Sequence, residues 1–352
     1  MSDRLRELGW NATLERFFES AGEPGAVPGR VVRAERNVWT VAGDAGEFVA
    51  SVATGRVSER PVVGDWCAAV KGEGDGPGVI RAVLPRTTAL LRAAAGRTSG
   101  AQVLAANVDV AFLVTGLDAN YSLRRIERLL AITYDGGATP VIVLNKADLC
   151  PETDERAADV AGIAPGTDVV PVSARTGEGA DRLRALVEPG KTHVFLGSSG
   201  VGKSTLINRL LGSERMATRE TRDKDGKGRH TTTHRELIVL PGGGVLIDSP
   251  GIREVGMMVG EEAIEATFED IAELAASCRF GDCTHTSEPG CAVIAAAEAG
   301  ELDPDRLANY HRLRREAESA ARRANEHERR SYEKRRSGSY RKWAEEWRKL
   351  KG

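Results

Sequence analysis

Apolar positions change their period twice along this chain. Between Gly29 and Leu91 they fall in short runs, at Val31-Val32, 38–41, 48–52, 66–70 and 79–84, each closed by Gly, Asp or Pro. Runs of that length, rich in Val, Ala and aromatic residues, predict strands. Five of them in about 60 residues predict a small barrel of the OB type. Ahead of it lies an extension, 1–28, with a short amphipathic stretch at 14–18 and a Gly/Pro turn. Residues 92–107, rich in Gly, Ala, Ser and Thr, read as a linker. From 108 to 258 apolar strands alternate with helical spacing. Strands are expected at 108–114, 140–144, 168–172, 192–196, 237–240 and 245–247. Helices are expected at 123–134, 179–187 and 203–211. That alternation predicts a parallel sheet covered by helices. Residues 261–276 read as a helix, followed by a Cys/His cluster and a long polar tail. The whole of 259–352 is therefore expected to be a third, α-helical domain.

Composition adds less than pattern. A hydrophobic share of 41% is ordinary for a globular chain. No apolar run approaches the roughly 20 residues that span a bilayer. The charged start, Met1-Ser2-Asp3-Arg4-Leu5-Arg6-Glu7, lacks a signal-peptide core. The chain reads as cytoplasmic, with no membrane partner, and is taken as a monomer. Its net charge of −2 hides an asymmetry: residues 306–352 hold 16 Lys/Arg against 7 Asp/Glu, a net of +9 against −11 for the rest. Such a tail suits a polyanion partner, or is a solvated Arg/Glu helix; both readings stay open.

Candidate chemistry sharpens the middle domain. Gly197-Ser198-Ser199-Gly200-Val201-Gly202-Lys203-Ser204-Thr205 lies between an expected strand and an expected helix. Its glycines allow a tight turn whose N–H groups converge on phosphate oxygens. Lys203 is expected on the β- and γ-phosphates and the Ser204 hydroxyl on Mg²⁺. Asn145-Lys146-Ala147-Asp148 also follows a strand. The Asp148 carboxylate suits the N1–H and exocyclic amine of guanine, donors that adenine lacks there. Ser173-Ala174, after the next strand, is expected to support the base. Base recognition thus precedes phosphate binding along the chain, the reverse of most GTPases, so the domain reads as circularly permuted. Asp248-Ser249-Pro250-Gly251 follows the last strand. It reads as the γ-phosphate sensor, with Asp248 towards Mg²⁺ and the Gly251 N–H towards phosphate. Between them, 218–234 reads as a switch loop whose Thr231, Thr232 or Thr233 supplies a further magnesium ligand. Thr232 is carried forward as that ligand, with the choice among the three open. Ile252 stands where Ras-like GTPases carry a water-orienting Gln. Another group must then serve hydrolysis, and His230 is the candidate, with an exposed loop histidine as the alternative.

Cys278, Cys283, His285 and Cys291 bring three thiols and an imidazole within 14 positions. That donor set matches a closed structural zinc site, one ion per chain, with no open position for catalysis. Cys67 and Cys150 are isolated and read as small packed residues. The tail interleaves Arg with Tyr310, Tyr332, Tyr340, Trp343 and Trp347, a pattern suited to RNA phosphates and stacked bases.

The order of these motifs resembles the RsgA (YjeQ) family of small-ribosomal-subunit-dependent GTPases over nearly the whole chain. Val63-Gly64-Asp65-Trp66, Leu84-Pro85-Arg86, Gly228-Arg229-His230-Thr231-Thr232-Thr233 and the run from Cys278 to His285 with Glu288-Pro289-Gly290-Cys291 share in that resemblance. It implies an OB barrel, a permuted G domain and a zinc domain. It further implies late maturation of the small ribosomal subunit, contact with its rRNA, and GTP hydrolysis to GDP stimulated by that subunit. His230 matches the family's proposed catalytic histidine. Ser249 stands where the family often has Thr. Two alternatives remain: a GTP-dependent scaffold or regulator without significant hydrolysis, and a zinc-stabilised RNA-binding module with a vestigial G domain.

Overall fold

The computed structural model describes residues 2–35, 37–53, 55, 57, 59–74, 76–93, 101–213, 235–248 and 259–322. The first five strands are β1 (Val27–Ala34), β2 (Trp39–Gly43), β3 (Gly46–Val52), β4 (Trp66–Val70) and β5 (Gly78–Val83). β1–β2, β2–β3, β5–β4 and β4–β1 are antiparallel, and β3–β5 is parallel. The order 1-2-3-5-4 and back to 1 closes a barrel, leaving no free edge within the five strands. Val31, Val41, Phe48, Ala50, Cys67 and Ile80 fill it. Cys67 is thus a buried packing residue.

Helices α1 (Asp3–Glu7) and α2 (Ala12–Ala21) cover one outer face of the barrel. Asn11 starts α2 by accepting the Thr13 and Leu14 N–H groups at 3.0 and 3.1 Å, which satisfies two donors the helix cannot. Trp10 then packs edge-on against Trp66, ring centroids 4.8 Å apart. Asp65, fully buried, accepts Arg86 Nε at 2.7 Å and Nη2 at 2.9 Å. The two barrel segments noted in the sequence are therefore two halves of one ion pair.

The linker expected over 92–107 is only partly one. β6 (Ala89–Ala93) and β7 (Ala101–Ala106) form an antiparallel hairpin. Leu90 and Leu104 are buried in the core beneath the middle domain. Small residues dominate this segment, so two buried leucines carry the burial without a visible strand pattern.

The middle domain contains β8 (Val110–Gly116), α3 (Leu123–Asp135), β9 (Thr139–Asn145), α4 (Thr153–Ile163), β10 (Asp168–Val172) and α5 (Ala180–Ala185). It continues with β11 (Thr192–Leu196), α6 (Lys203–Leu211), β12 (Arg235–Val239) and β13 (Val245–Asp248). Strands run β10-β9-β8-β11-β13 in parallel, with β12 antiparallel to β13. Adjacent residues point to opposite faces, so the unbroken apolar runs serve two cores. Leu113, Ile142 and Leu196 meet α3 on one face, while Phe112, Val143 and Val172 meet α6 on the other. Helix α4, which the sequence pattern did not reveal, buries Val160 in the first of these cores.

Two junctions join the barrel to the middle domain. β1 pairs with β12, Arg33 opposite Glu236 and Ala34 opposite Arg235, so barrel and G-domain strands share one sheet. Buried Arg30 of β1 donates to the Gly64 carbonyl at 3.3 Å and to Thr192 Oγ1 at 2.7 Å, and also bonds the Leu8 carbonyl. Burial lowers its pKa to about 10 despite Asp109 and Asp65 nearby.

The C-terminal domain contains α7 (Glu261–Thr267), α8 (Glu269–Ala275), α9 (Ala292–Ala299) and α10, described over 304–322. The single helix expected over 261–276 is broken at Phe268, at φ −117° and ψ 49°, whose fully buried ring anchors this domain's core. Against α3, Arg306 Nη1 donates to Glu127 Oε1 at 2.6 Å, and Asn309 donates to Glu127 Oε2. Arg306 also clasps Asp270 through Nε and Nη2, both at 2.8 Å.

Candidate nucleotide and metal sites

All five parallel strands of the middle domain end on one edge. Val172 pairs with Asn145, Asn145 with Gly116, and Leu196 with Leu113. Open α/β sheets bind ligands outside this carboxyl edge. The loops leaving it carry the sequence's base-reading and phosphate-reading residues.

The phosphate loop leaves β11 at Gly197. Gly197, Gly200 and Gly202 take φ of +142°, +83° and +99°, values open to glycine and strained for other residues. A Cβ at Gly202 would collide with the Asn145 amide, and one at Gly197 with the Val114 carbonyl. Lys203 opens α6 and Ser204 follows it, so their N–H groups lie at the positive end of that helix. Lys203 Nζ donates to the Gly197 and Ser198 carbonyls at 2.6 and 2.7 Å. Ser199 and Gly200 are exposed, Ser204 and Thr205 are half-buried, and Val201 packs into the core against α6.

Asn145 ties three loops into one pocket. Its Nδ2 donates to the Val201 carbonyl at 2.7 Å, and its Oδ1 accepts the Ala174 N–H at 3.0 Å. Lys146, in the left-handed region at φ +67°, donates to Asp118 Oδ2 at 2.6 Å and to the Gly200 carbonyl at 2.9 Å. Ala147 and Asp148 begin a 3₁₀ turn, Ala147–Leu149. Asp148 Oδ1 accepts Ser173 Oγ at 2.6 Å, and Oδ2 accepts Arg175 Nε at 3.0 Å. The Ser173 hydrogen bond, then Arg175, holds the Asp148 carboxyl below its usual range.

Two contributors escaped the sequence reading. Asp118 follows β8 at the same edge and anchors Lys146. Partial burial pushes its pKa up, but bonds from Lys146 and Asn120 bring it down to about 2. Its place just past a parallel strand was the available signal. Arg209, on α6, donates from Nε to the Ala174 carbonyl and from Nη2 to the Arg175 carbonyl, both at 2.9 Å. It thereby links the phosphate helix to the base loop, and no local motif marks it.

Asp248 ends β13 on this edge, opposite Glu236. His230, Thr232 and Gly251, with the rest of 214–234 and 249–258, lie outside the described residues.

The metal candidate lies between α8 and α9. The ligand atoms of Cys278, Cys283, His285 and Cys291 all lie within 4.8 Å of one another. Cys278 Sγ is 3.8 Å from Cys291 Sγ, and His285 Nδ1 is 3.6 and 3.4 Å from those sulfurs. Tetrahedral bonds of about 2.3 Å to sulfur and 2.0 Å to nitrogen give edges near 3.8 and 3.5 Å. These three spacings fit the edges of a tetrahedral site, with Cys283 as the fourth donor within 4.8 Å. His285 takes φ +60°, and its carbonyl accepts His311 Nε2 at 3.1 Å. Glu288 accepts the Thr284, Thr286 and Ser287 N–H groups at 2.8 to 3.0 Å, fixing the loop between ligands. A bond from the Thr284 hydroxyl, then the Ser287 and Thr284 N–H groups, holds its carboxyl far below the usual range.

The profile of the RsgA GTPase family matches residues 83–258. The chain is 45% identical over 329 residues to the small ribosomal subunit biogenesis GTPase RsgA of Syntrophotalea carbinolica, covering 90% of each chain. It is 47% identical over 335 residues to that of Opitutus terrae, covering 91% of each. This chain belongs to the RsgA GTPase family. Among solved structures, YjeQ from Thermotoga maritima aligns with a TM-score of 0.62 at 29% identity, over 83% of this chain and 98% of that one. YloQ, described as a circularly permuted GTPase, aligns at 0.57 and 27%, over 84% and 96%. The barrel, permuted GTPase domain and helical C-terminus of this RsgA-family GTPase are thus those of its structural relatives. No helix among the described residues is long and apolar enough to cross a membrane.

Proposed function

We propose that this chain is a GTPase that binds the small ribosomal subunit and acts in its late maturation, hydrolysing GTP to GDP and phosphate with stimulation by the subunit. The relatives' names support the biological setting. One observation carries the chemistry: Asn145 bridges Val201 of the phosphate loop and Ala174 of the base loop. Base and phosphate recognition are thereby locked at one distance, as a nucleotide requires.

In this reading Asp148 receives the N1–H and amine of guanine, with Ser173 holding the carboxylate. Lys203 exchanges its loop carbonyls for β- and γ-phosphate oxygens. Ser204 and a Thr of 231–233, carried as Thr232, ligate Mg²⁺, with Asp248 acting through water. Magnesium, when bound there, would offset negative charge on the β- and γ-phosphates. The Gly251 N–H bonds the γ-phosphate, and His230 orients the attacking water that Ile252 cannot. Cys278, Cys283, His285 and Cys291 hold zinc as a structural ion. The barrel and the basic tail contact rRNA, and the protein acts as a cytoplasmic monomer.

The segment after Asp248 leads into α7, and β12, after the switch loop, is hydrogen-bonded to barrel strand β1. Nucleotide state therefore has covalent access to the C-terminal domain and sheet access to the barrel, a route for an order–disorder switch. GTP is expected to tighten subunit binding and GDP to loosen it. The test is GTP turnover with and without purified small subunits, with Lys203→Ala as control. Stimulation lost in the variant supports the reading. Nucleotide binding without stimulated turnover favours a GTP-dependent scaffold, which Ile252 also suits.

A further inference from the structure

The Asp148 carboxylate already has a cationic partner within the chain. Arg175 reaches its Oδ2 with Nε at 3.0 Å and Nη2 at 2.7 Å. Ser173 takes Oδ1 from the other side. A guanidinium presents the same N–C–N edge of paired N–H donors as the N1, C2 and amine of guanine. The atom Arg175 holds is one of the two that a guanine would need. Arg209 fixes the geometry, since it grips the carbonyls of Ala174 and Arg175 from the phosphate helix. The Arg175 side chain is itself 74% exposed, so it is free to leave.

We propose that Arg175 is a resident guanine surrogate: it pairs Asp148 in the nucleotide-free protein and must be displaced for a guanine nucleotide to enter. This rests on the reading of Asp148 as the base-recognising residue. Without Arg175, the Asp148 carboxylate of the empty pocket would keep only the Ser173 hydroxyl and water as partners. With Arg175 in place the carboxylate is paired and preformed, and entry must break that pair to exchange one amidine-type donor edge for another. A base lacking that edge has nothing to offer Asp148 in return, so it meets the occupied carboxylate as a barrier. The residue then acts on the specificity and the entry rate of the site rather than on the hydrolytic step.

The test is stopped-flow binding of a fluorescent GDP, with a matching ADP analogue as control, to wild type, Arg175→Ala and Arg175→Lys. The exchanged pair is exposed on one side, where such pairs are weak. Arg175→Ala should therefore associate about two- to fivefold faster and bind GDP correspondingly tighter, with Arg175→Lys between. Added salt should narrow the gap by screening the wild-type pair. Slower or unchanged association in Arg175→Ala overturns the proposal, as does weaker GDP affinity, which would make Arg175 a cover over the bound base. Failure of the wild type to prefer GDP over ADP would instead overturn the reading of Asp148 itself, and this inference with it.

Discussion

Removing Arg306 should loosen the C-terminal domain from the G domain. Glu127, on α3, is only 2% exposed, and its carboxylate is held by Arg306 and Asn309. Burial raises its pKa, against the pull of Asn309 and Arg306. Arg306→Ala leaves that carboxylate buried with one amide donor, and also removes the guanidinium from over the Phe268 ring, 4.9 Å away. Breaking a buried pair on one side costs about 3–5 kcal/mol, which is roughly two to four orders of magnitude in an opening equilibrium. Asp270 is half exposed and recovers water, so its loss adds little. Amide hydrogen exchange along α3 and α10 should accelerate by that factor, with the barrel strands unchanged. A pH series carries the sign: with its folded pKa raised above 4.5, Glu127 favours the folded state most at low pH. The variant should therefore lose protection as pH rises above 4.5. Replacing both partners, Glu127→Leu with Arg306→Met, should recover most of the loss, because no buried charge is left. An Arg306→Ala change below about 1 kcal/mol, or equal loss in the double variant, would refute a buried charge as the clasp.

Asn145→Ala should weaken GDP binding by about 10- to 100-fold, because the Val201 carbonyl and the Ala174 N–H lose a buried partner each and the two loops separate; calorimetric titration reads it. Chelation, or Cys278→Ser, should release one zinc per chain and melt 261–322 while nucleotide affinity stays, read by metal analysis beside exchange of α7 to α9. The Asp118–Lys146 pair should outlast acidification: with the Asp118 pKa depressed to about 2, its contribution is full above 3.8 and fades as pH falls through 2. Carboxyl chemical shifts should report that midpoint, and Lys146→Ala should return it towards 3.8.

The sequence by itself carried the order of the motifs and, with it, the permuted fold and the family. Phosphate loops need glycine where φ is positive, so Gly197, Gly200 and Gly202 mark their own turn. A buried parallel strand needs apolar residues on both faces, so β8 to β11 appear as continuous runs. Residues that could hold a metal ion, close in sequence from Cys278 to Cys291, advertise themselves because a short loop brings them together. What rests on long-range pairing left no such trace. The hairpin β6–β7 hid in small residues, since burial of Leu90 and Leu104 depends on α3 rather than on local alternation. Asp118 and Arg209 joined the candidate nucleotide site only because the parallel sheet brings a distant loop and helix α6 to one edge. Arg30 and Glu127 show the same limit: a charged residue inside a strand or helix reads as solvent-facing until the fold supplies a distant partner, Thr192 for Arg30 and Arg306 for Glu127. Local conformational rules are written into neighbouring residues, whereas the pairing of buried charges is set by which surfaces the closed chain brings together.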